Sequence, residues 1–163
     1  MSAKKMEVKD YQFRDWNNKT IGLSGLFGSK EELILIHNMG KSCSYCTMWA
    51  DGFNGVLHHL EDRASFVVVS PDSPKVQKAF AKGRGWKFRM VSAEGSPFSR
   101  EMGFESDDGE PCPGVSVFQK RGRNMHRVSH DKFGPGDSYC LVWHLFSLLP
   151  EGSKDWEPKF EYK

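Results

Sequence analysis

Hydrophobic and polar positions along this chain switch repeatedly between a strand-like and a helix-like period. Leu33-Ile34-Leu35-Ile36 is a continuous apolar run, as in a strand covered on both faces. From Ser44 the period lengthens. Trp49, Phe53, Val56, Leu57 and Leu60 fall at i, i+4, i+7, i+8 and i+11, one face of a helix, which Gly52 and Gly55 weaken enough to predict a kink or a close approach. Phe66-Val67-Val68-Val69 predicts a second covered strand. Ser73-Pro74 then supplies an N-cap and a first-turn proline, with Val76, Ala79 and Phe80 facing inward and Lys75, Lys78 and Lys82 outward. Lys87–Ser92 predicts another strand, and Ser96-Pro97 a short capped helix that Gly103 ends.

The flanks read as antiparallel. Tyr11 and Phe13 lead into Asn17-Asn18 and Thr20-Ile21-Gly22-Leu23 returns, so residues 11–28 predict an edge hairpin with a short link to the strand at 33–37. Val115–Phe118 and Met125–Ser129 predict the last two strands, joined by a turn at Gly122. A final helix over 137–149 carries Tyr139, Leu141, Val142, Leu145, Phe146 and Leu149, and Pro150 ends it. Residues 1–10 are expected to be flexible. The polar tail 151–163, with Trp156, Phe160 and Tyr162 interspersed, is expected to pack onto a single domain spanning 1–163. The pattern predicts an α/β fold: a three-layer α/β/α sandwich with a mixed central sheet and an N-terminal hairpin. In such a sheet reactive groups belong at the carboxyl ends of strands.

Cys43-Ser44-Tyr45-Cys46 stands there, between the run at 33–36 and the helical pattern. A helix N-terminus favours a thiolate through the macrodipole and unpaired N–H groups. Cys43 is therefore the expected nucleophile on a substrate disulfide, and Cys46, one turn in, the resolving thiol. Zinc sites use the same spacing, and paired cysteines can also be inert. Four cysteines behind an N-terminus without a secretory pattern point to redox or metal chemistry in a reducing compartment, and so to a cytoplasmic protein. Lysine and arginine total 23 against 21 acidic residues, a net +2 that argues for neither nucleic acid nor an anionic membrane as partner. The basic segment 75–89 reads as a solvated face with Trp86 and Phe88 packing inward.

Three segments carry a resemblance to the thioredoxin superfamily, and more closely to its peroxiredoxin-like branch. They are Val68-Val69-Ser70-Pro71-Asp72-Ser73-Pro74 before a Lys-rich helix, Phe88-Arg89-Met90-Val91-Ser92, and Pro113-Gly114-Val115-Ser116-Val117-Phe118. The surroundings Cys43–Phe53 and Pro113–Phe118 also resemble a bacterial thioredoxin-like family of unassigned function, whose members are often labelled dithiol–disulfide isomerase-like. The resemblance covers roughly residues 10–150 and implies a thioredoxin-like fold. Peroxiredoxins place a threonine or serine three residues before the attacking cysteine and a proline four before that. Ahead of Cys43 those positions hold Gly40 and Ile36, and ahead of Cys46 they hold Cys43 and Met39. The dipeptide Ser44-Tyr45 is neither Gly-Pro nor Pro-His, so no redox potential carries over.

The resemblance implies that Pro113 is a cis proline lying against the dithiol and shaping a substrate groove; the plain alternative is an ordinary loop proline. Cys112, Tyr45 and Trp49 are assigned with it to substrate contact. Cys112 is read either as a third sulfur near Cys43, for resolution or metal binding, or as a small filler. His37 stands near where thioredoxins keep a buried acid, and is a candidate for taking the Cys46 proton; the alternative is a hydrogen-bonded core histidine. Cys140 is expected to be a buried small hydrophobe, and His58 and His59 surface or packing residues. The expected function is a thiol–disulfide oxidoreductase acting on a protein disulfide or a small thiol such as glutathione, without an organic cofactor. The alternatives are a thiol peroxidase, and a metal-binding module using Cys43, Cys46 and Cys112 with His37 as a possible fourth ligand.

Overall fold

In the computed structural model, which describes residues 4–163, the apolar runs form β4 (Glu32–His37) and β5 (Ser65–Ser70), which pair in parallel at the centre of the sheet. Parallel pairing continues to β6 (Arg89–Ser92), where β2 (Gln12–Arg14) and β3 (Thr20–Gly22) add the antiparallel edge hairpin. On the other side β4 runs antiparallel to β7 (Gly114–Arg121), then β8 (Asn124–Lys132) and β1 (Met6–Glu7), so the order is β1-β8-β7-β4-β5-β6-β2-β3. Helices α1 (Leu23–Leu26), α2 (Ser44–Gly55), α3 (Leu57–Arg63), α4 (Pro74–Arg84), α5 (Phe98–Glu101) and α6 (Leu141–Phe146) complete the mixed α/β fold. None of the helices described is long and apolar enough to cross a membrane.

Strand alternation divides the interior in two. Leu33, Leu35, Val67, Val69 and Val91 join Phe13, Leu23, Phe98 and Phe104 on one face. Ile36, Phe66, Val68 and Met90 join Cys46, Trp49, Ala81 and Trp86 on the other. Trp86 and Phe88 are buried, as expected of packing aromatics.

Three local expectations need correction. Of the segment expected to be flexible, residues 1–3 lie outside the described residues, while Met6 and Glu7 pair with β8 and the Val8 N–H donates to Met125 O at 3.0 Å. The kink expected from Gly52 and Gly55 is present: the long helix breaks at Val56, just after Gly55, into α2 and α3. In α4 the fully buried positions are Pro74, Gln77 and Ala81; of the expected face Val76 is half-buried, Phe80 is half-buried against Trp86, and Ala79 is exposed. Gln77 is drawn in because its Nε2 donates to Ser70 Oγ at 2.8 Å and to Val91 O at 2.9 Å, which satisfies the buried donor while Oε1 is left without a partner. The last helix is only Leu141–Phe146, with Leu141 71% and Leu148 80% exposed. Of the expected face Val142 and Phe146 are half-buried, and Trp143 joins them; Trp143 and Phe146 meet Trp156 of the C-terminal segment edge to face.

Candidate functional site

A loop of tightly paired backbone leads from β4 to the dithiol. The Asn38 N–H donates to Val69 O, and the Asn38 side chain accepts the Gly40 N–H at 2.8 Å. Gly40 has φ +109, and a Cβ there would lie 3.1 Å from the Asp72 carboxylate, which accepts the Lys41 N–H at 2.7 Å. The loop is thereby clamped to the carboxyl end of β5. Cys43 is the N-cap of α2: its Sγ accepts the Cys46 N–H at 3.1 Å, and its carbonyl accepts from Thr47 N and Thr47 Oγ1. A sulfur therefore satisfies one of the orphan donors of a helix terminus.

The two thiols are electrostatically unequal. The Cys46 thiol donates to Cys43 and stabilises a thiolate there; burial opposes this, and the Cys46 and Tyr45 N–H groups add to it, so the Cys43 pKa falls to about 7. The hydrogen bond to Cys43, burial and the Cys43 charge all push Cys46 far above the ordinary thiol range. Cys43 is half-buried and Cys46 buried. One sulfur is reachable and easily ionised, and the other is held protonated behind it.

His37 is on the wrong side of the sheet to serve them. It follows Leu33 and Leu35 in the alternation, and its ring stacks on Phe104 at 3.8 Å and Phe98 at 5.6 Å, whereas Cys46 belongs to the opposite core. Nε2 bonds Ser116 Oγ at 2.8 Å and Nδ1 is buried without a partner. It is the hydrogen-bonded core histidine, and the structure does not bring it to the Cys46 proton. Burial, then repulsion from Arg127 and His130, pushes its pKa down to about 3. The unfolded chain takes up a proton near pH 6.5 that the folded chain refuses, so stability falls as the pH drops from about 6.5 toward 3. NMR titration is expected to show His37 ring resonances unmoved above pH 5, and His37→Gln to flatten the stability slope between pH 6.5 and 5. Titration of His37 near pH 6.5 would contradict the placement.

Pro113 is not a cis proline; among the described residues there is no cis peptide bond. The bridge between Glu105 and Pro111 and the hydrogen bond from Cys112 N to Phe104 O carry the loop into β7 with the ordinary isomer. Pro113 O accepts from Phe133 N, which ties the loop to the segment after β8. Cys112 is half-buried on the His37 side, in a cavity of about 190 Å³ shared with His37, Asn38, Phe104 and Glu105. Neither Cys43 nor Cys46 lines that cavity. Among the described residues no three His, Cys, Asp or Glu side chains stand close enough to hold a metal ion, so Cys43, Cys46, Cys112 and His37 do not form a ligand set. Trp49, assigned to substrate contact, is 3% exposed: one turn beyond Cys46 it shares the inward face of α2. Tyr45 remains half-exposed beside the dithiol, its ring 6.3 Å from Trp143. Cys140 is buried, with its pKa raised by that burial.

Two residues at the site escaped the sequence reading. Asp72 anchors the loop from a distant turn, which no local pattern announces. Met39 stands four residues before Cys43 with its Sδ 3.9 Å from the Cys43 sulfur, and its N–H points at Cys46 Sγ at 3.4 Å. Their only signal is position: one follows β5, the other precedes the dithiol.

A family model described as a bacterial protein of unknown function, DUF899, matches residues 4–162. No curated protein matches the chain. Among solved structures, peroxidoxin BcpB from Mycobacterium tuberculosis superposes with TM-score 0.65 at 21% identity, covering 79% of this chain and 87% of its own. A peroxiredoxin-like protein from Aquifex aeolicus gives 0.64 at 16%, covering 81% and 77%. Peroxiredoxin Q from Xanthomonas campestris gives 0.58 at 20%, covering 74% and 78%. At these identities the likeness is one of fold, and it is the thioredoxin-like fold of peroxiredoxins.

Proposed function

The chain belongs to the DUF899 family of bacterial proteins, whose function is unknown, and from that footing we propose that it is a thiol–disulfide oxidoreductase in which Cys43 attacks and Cys46 resolves. The observation that carries this reading is the pairing at the start of α2: a reachable sulfur accepting the Cys46 N–H at 3.1 Å, with a buried thiol hydrogen-bonded behind it. The Cys43 thiolate attacks one sulfur of a substrate disulfide; a Cys43–substrate S–S bond forms and the other substrate sulfur leaves as a thiolate. Forming the mixed disulfide removes the negative charge that held the Cys46 proton. Cys46 then gives that proton to the departed thiolate and attacks Cys43, forming the Cys43–Cys46 disulfide and releasing the second substrate thiol. Two molecules of a small thiol such as glutathione return the pair to the dithiol state and leave joined as their own disulfide. Tyr45, half-exposed beside the dithiol, is the aromatic side chain expected to touch the substrate.

The reading is tested by the Cys43–Cys46 reduction potential, measured by equilibration against glutathione with thiol trapping. A reversible couple between about −120 and −270 mV is expected, the span of working exchange enzymes. A pair that never forms the disulfide sinks the reading. The pH profile gives a second check. Alkylation of Cys43 should rise with pH and reach half its plateau near pH 7, while Cys46 stays unreactive. Cys46→Ala removes the largest stabilising contact, so the half-point should move upward.

Peroxide reduction is the second reading, favoured by the fold shared with peroxiredoxins. There the Cys43 thiolate displaces hydroxide or alkoxide from the peroxide, forms a sulfenic acid, and condenses with Cys46, releasing water. Against it, among the described residues the Cys43 sulfur has Cys46, Met39 and the Tyr45 N–H as hydrogen-bond neighbours, with no hydroxyl at the Gly40 position. A peroxide-consumption assay with a thiol donor decides: turnover faster than disulfide exchange would reverse the order.

A further inference from the structure

The corner that holds the dithiol also gathers a third soft sulfur, and we propose that the reduced chain binds one copper(I) ion through Cys43, Cys46 and Met39. Cys43 Sγ and Met39 Sδ are 3.9 Å apart. Cys46 Sγ is in hydrogen-bond contact with the Cys43 sulfur and accepts the Met39 N–H at 3.4 Å, so the Cys43 sulfur neighbours both other sulfurs and the Met39 backbone is held against Cys46. Metal–sulfur bonds of about 2.3 Å place the corners of a flat three-sulfur set about 4.0 Å apart. The Cys43–Met39 separation needs almost no adjustment to match.

The donor set decides the metal. Thiolate and thioether ligands select copper(I). Zinc requires four N, S or O ligands in a tetrahedron, and among the described residues no third His, Cys, Asp or Glu joins the pair. Cys43 and Met39 are half-buried and Cys46 buried, all within the core that includes Ile36 and Trp49, so an ion entering past Cys43 sits in a largely apolar setting. Two thiolates and a monovalent ion carry one net negative charge, placed at the N-terminal N–H groups of the twelve-residue α2, which favour it. Binding releases the thiol protons to solvent and transfers no electron. The Cys43–Cys46 disulfide cannot bind, so copper loading and oxidation exclude each other. A dithiol that never exchanged would still hold the ion, so this inference stands apart from the exchange reading.

The test is anaerobic titration of the reduced chain with copper(I) against the chelator bathocuproine disulfonate, followed by X-ray absorption of the loaded protein. One ion per chain should be withheld from the chelator, with three sulfur neighbours. Met39→Leu conserves volume and should leave two sulfurs and weaken binding at least about tenfold, the loss that even a supporting residue causes at a metal site. Surrender of the ion to one equivalent of chelator overturns the proposal. So does a count of two sulfurs in the native chain, a reading that needs no variant, or a Met39→Leu affinity equal to the native one.

Discussion

Cys43→Ser is expected to abolish disulfide exchange, whereas Cys46→Ser should halt it halfway, with substrate left bonded to Cys43. The asymmetry follows from where the two sulfurs sit. Cys43 is half-buried with a pKa near 7, and Cys46 is buried behind it and held protonated. A serine hydroxyl at position 43 has no comparable anionic form at neutral pH, so exchange falls to the uncatalysed background. Cys46→Ser keeps the nucleophile and loses the escape route, so mass spectrometry of a quenched reaction should find a mixed disulfide on Cys43 alone. The lowered pKa by itself is a modest contribution. At pH 7 an ordinary thiol of pKa about 8.5 is about 3% thiolate, against about half for Cys43, a gain of about fifteenfold. The accompanying loss of nucleophilicity takes back about fivefold, leaving about threefold in the attack step. Cys46→Ala should therefore slow a single attack only severalfold and still stop turnover. If instead Cys43→Ser exchanged normally, or the trapped species formed on Cys112, the assignment of the nucleophile would fail. With peroxide as oxidant the same Cys46→Ser protein would accumulate a Cys43 sulfenic acid, which separates the two readings in one experiment.

Much of this site was readable in the residue order, because strand parity and helix capping are local. The run 33–37 ends at the sheet's carboxyl edge, Cys43 begins the next helix, and Ser73-Pro74 starts α4 as capping rules require. The same parity already separated His37 from Cys46: Leu33, Leu35 and His37 share a face that Ile36 does not. The proton-transfer role suggested by thioredoxins' buried acid gives way to the other reading of His37, a hydrogen-bonded core histidine. Gln77 escaped for a different reason. Helical periodicity ranks positions by hydrophobicity, and it misses a polar side chain that three acceptors on two strands pull inward. The leucines of 141–149 failed in the opposite sense. Their spacing is helical, but Trp156 arrives from beyond Pro150 and takes the packing with Trp143 and Phe146, leaving Leu141 and Leu148 in solvent. Pro113 went wrong because a proline before a strand fits both isomers, and long-range partners, Phe104 O and Phe133 N, set the course of the loop.

Gly114→Ala should be among the most damaging single-methyl additions this fold can receive. Gly114 opens β7, buried between His37 of β4 and Lys132 of β8 in register. A Cβ there would overlap both Phe104 Cε1 and the Asp131 carbonyl oxygen. Neither neighbour yields easily. The Phe104 ring lies 3.8 Å from the His37 ring, and the Asp131 carbonyl belongs to the backbone of β8. Relieving the clash must part β7 from β8 or unstack the ring that covers a histidine with an unpartnered Nδ1, which would then meet water. Overpacking of a core costs about 1–3 kcal/mol per site, and two rigid contacts put this one at or above about 3 kcal/mol. For a chain of this length that is a fall of about 6–12 °C in melting temperature. Gly52→Ala is the internal control: it lies in exposed helix with nothing within 4 Å of an added Cβ, and should stabilise by about 0.5–1 kcal/mol. Opposite signs for the same added methyl, measured by urea unfolding, are the expected result. A Gly114→Ala protein that melts with the native one would mean that β7 does not pass this close to Phe104, and the placement of the 112–114 loop on the His37 side of the sheet would fall with it.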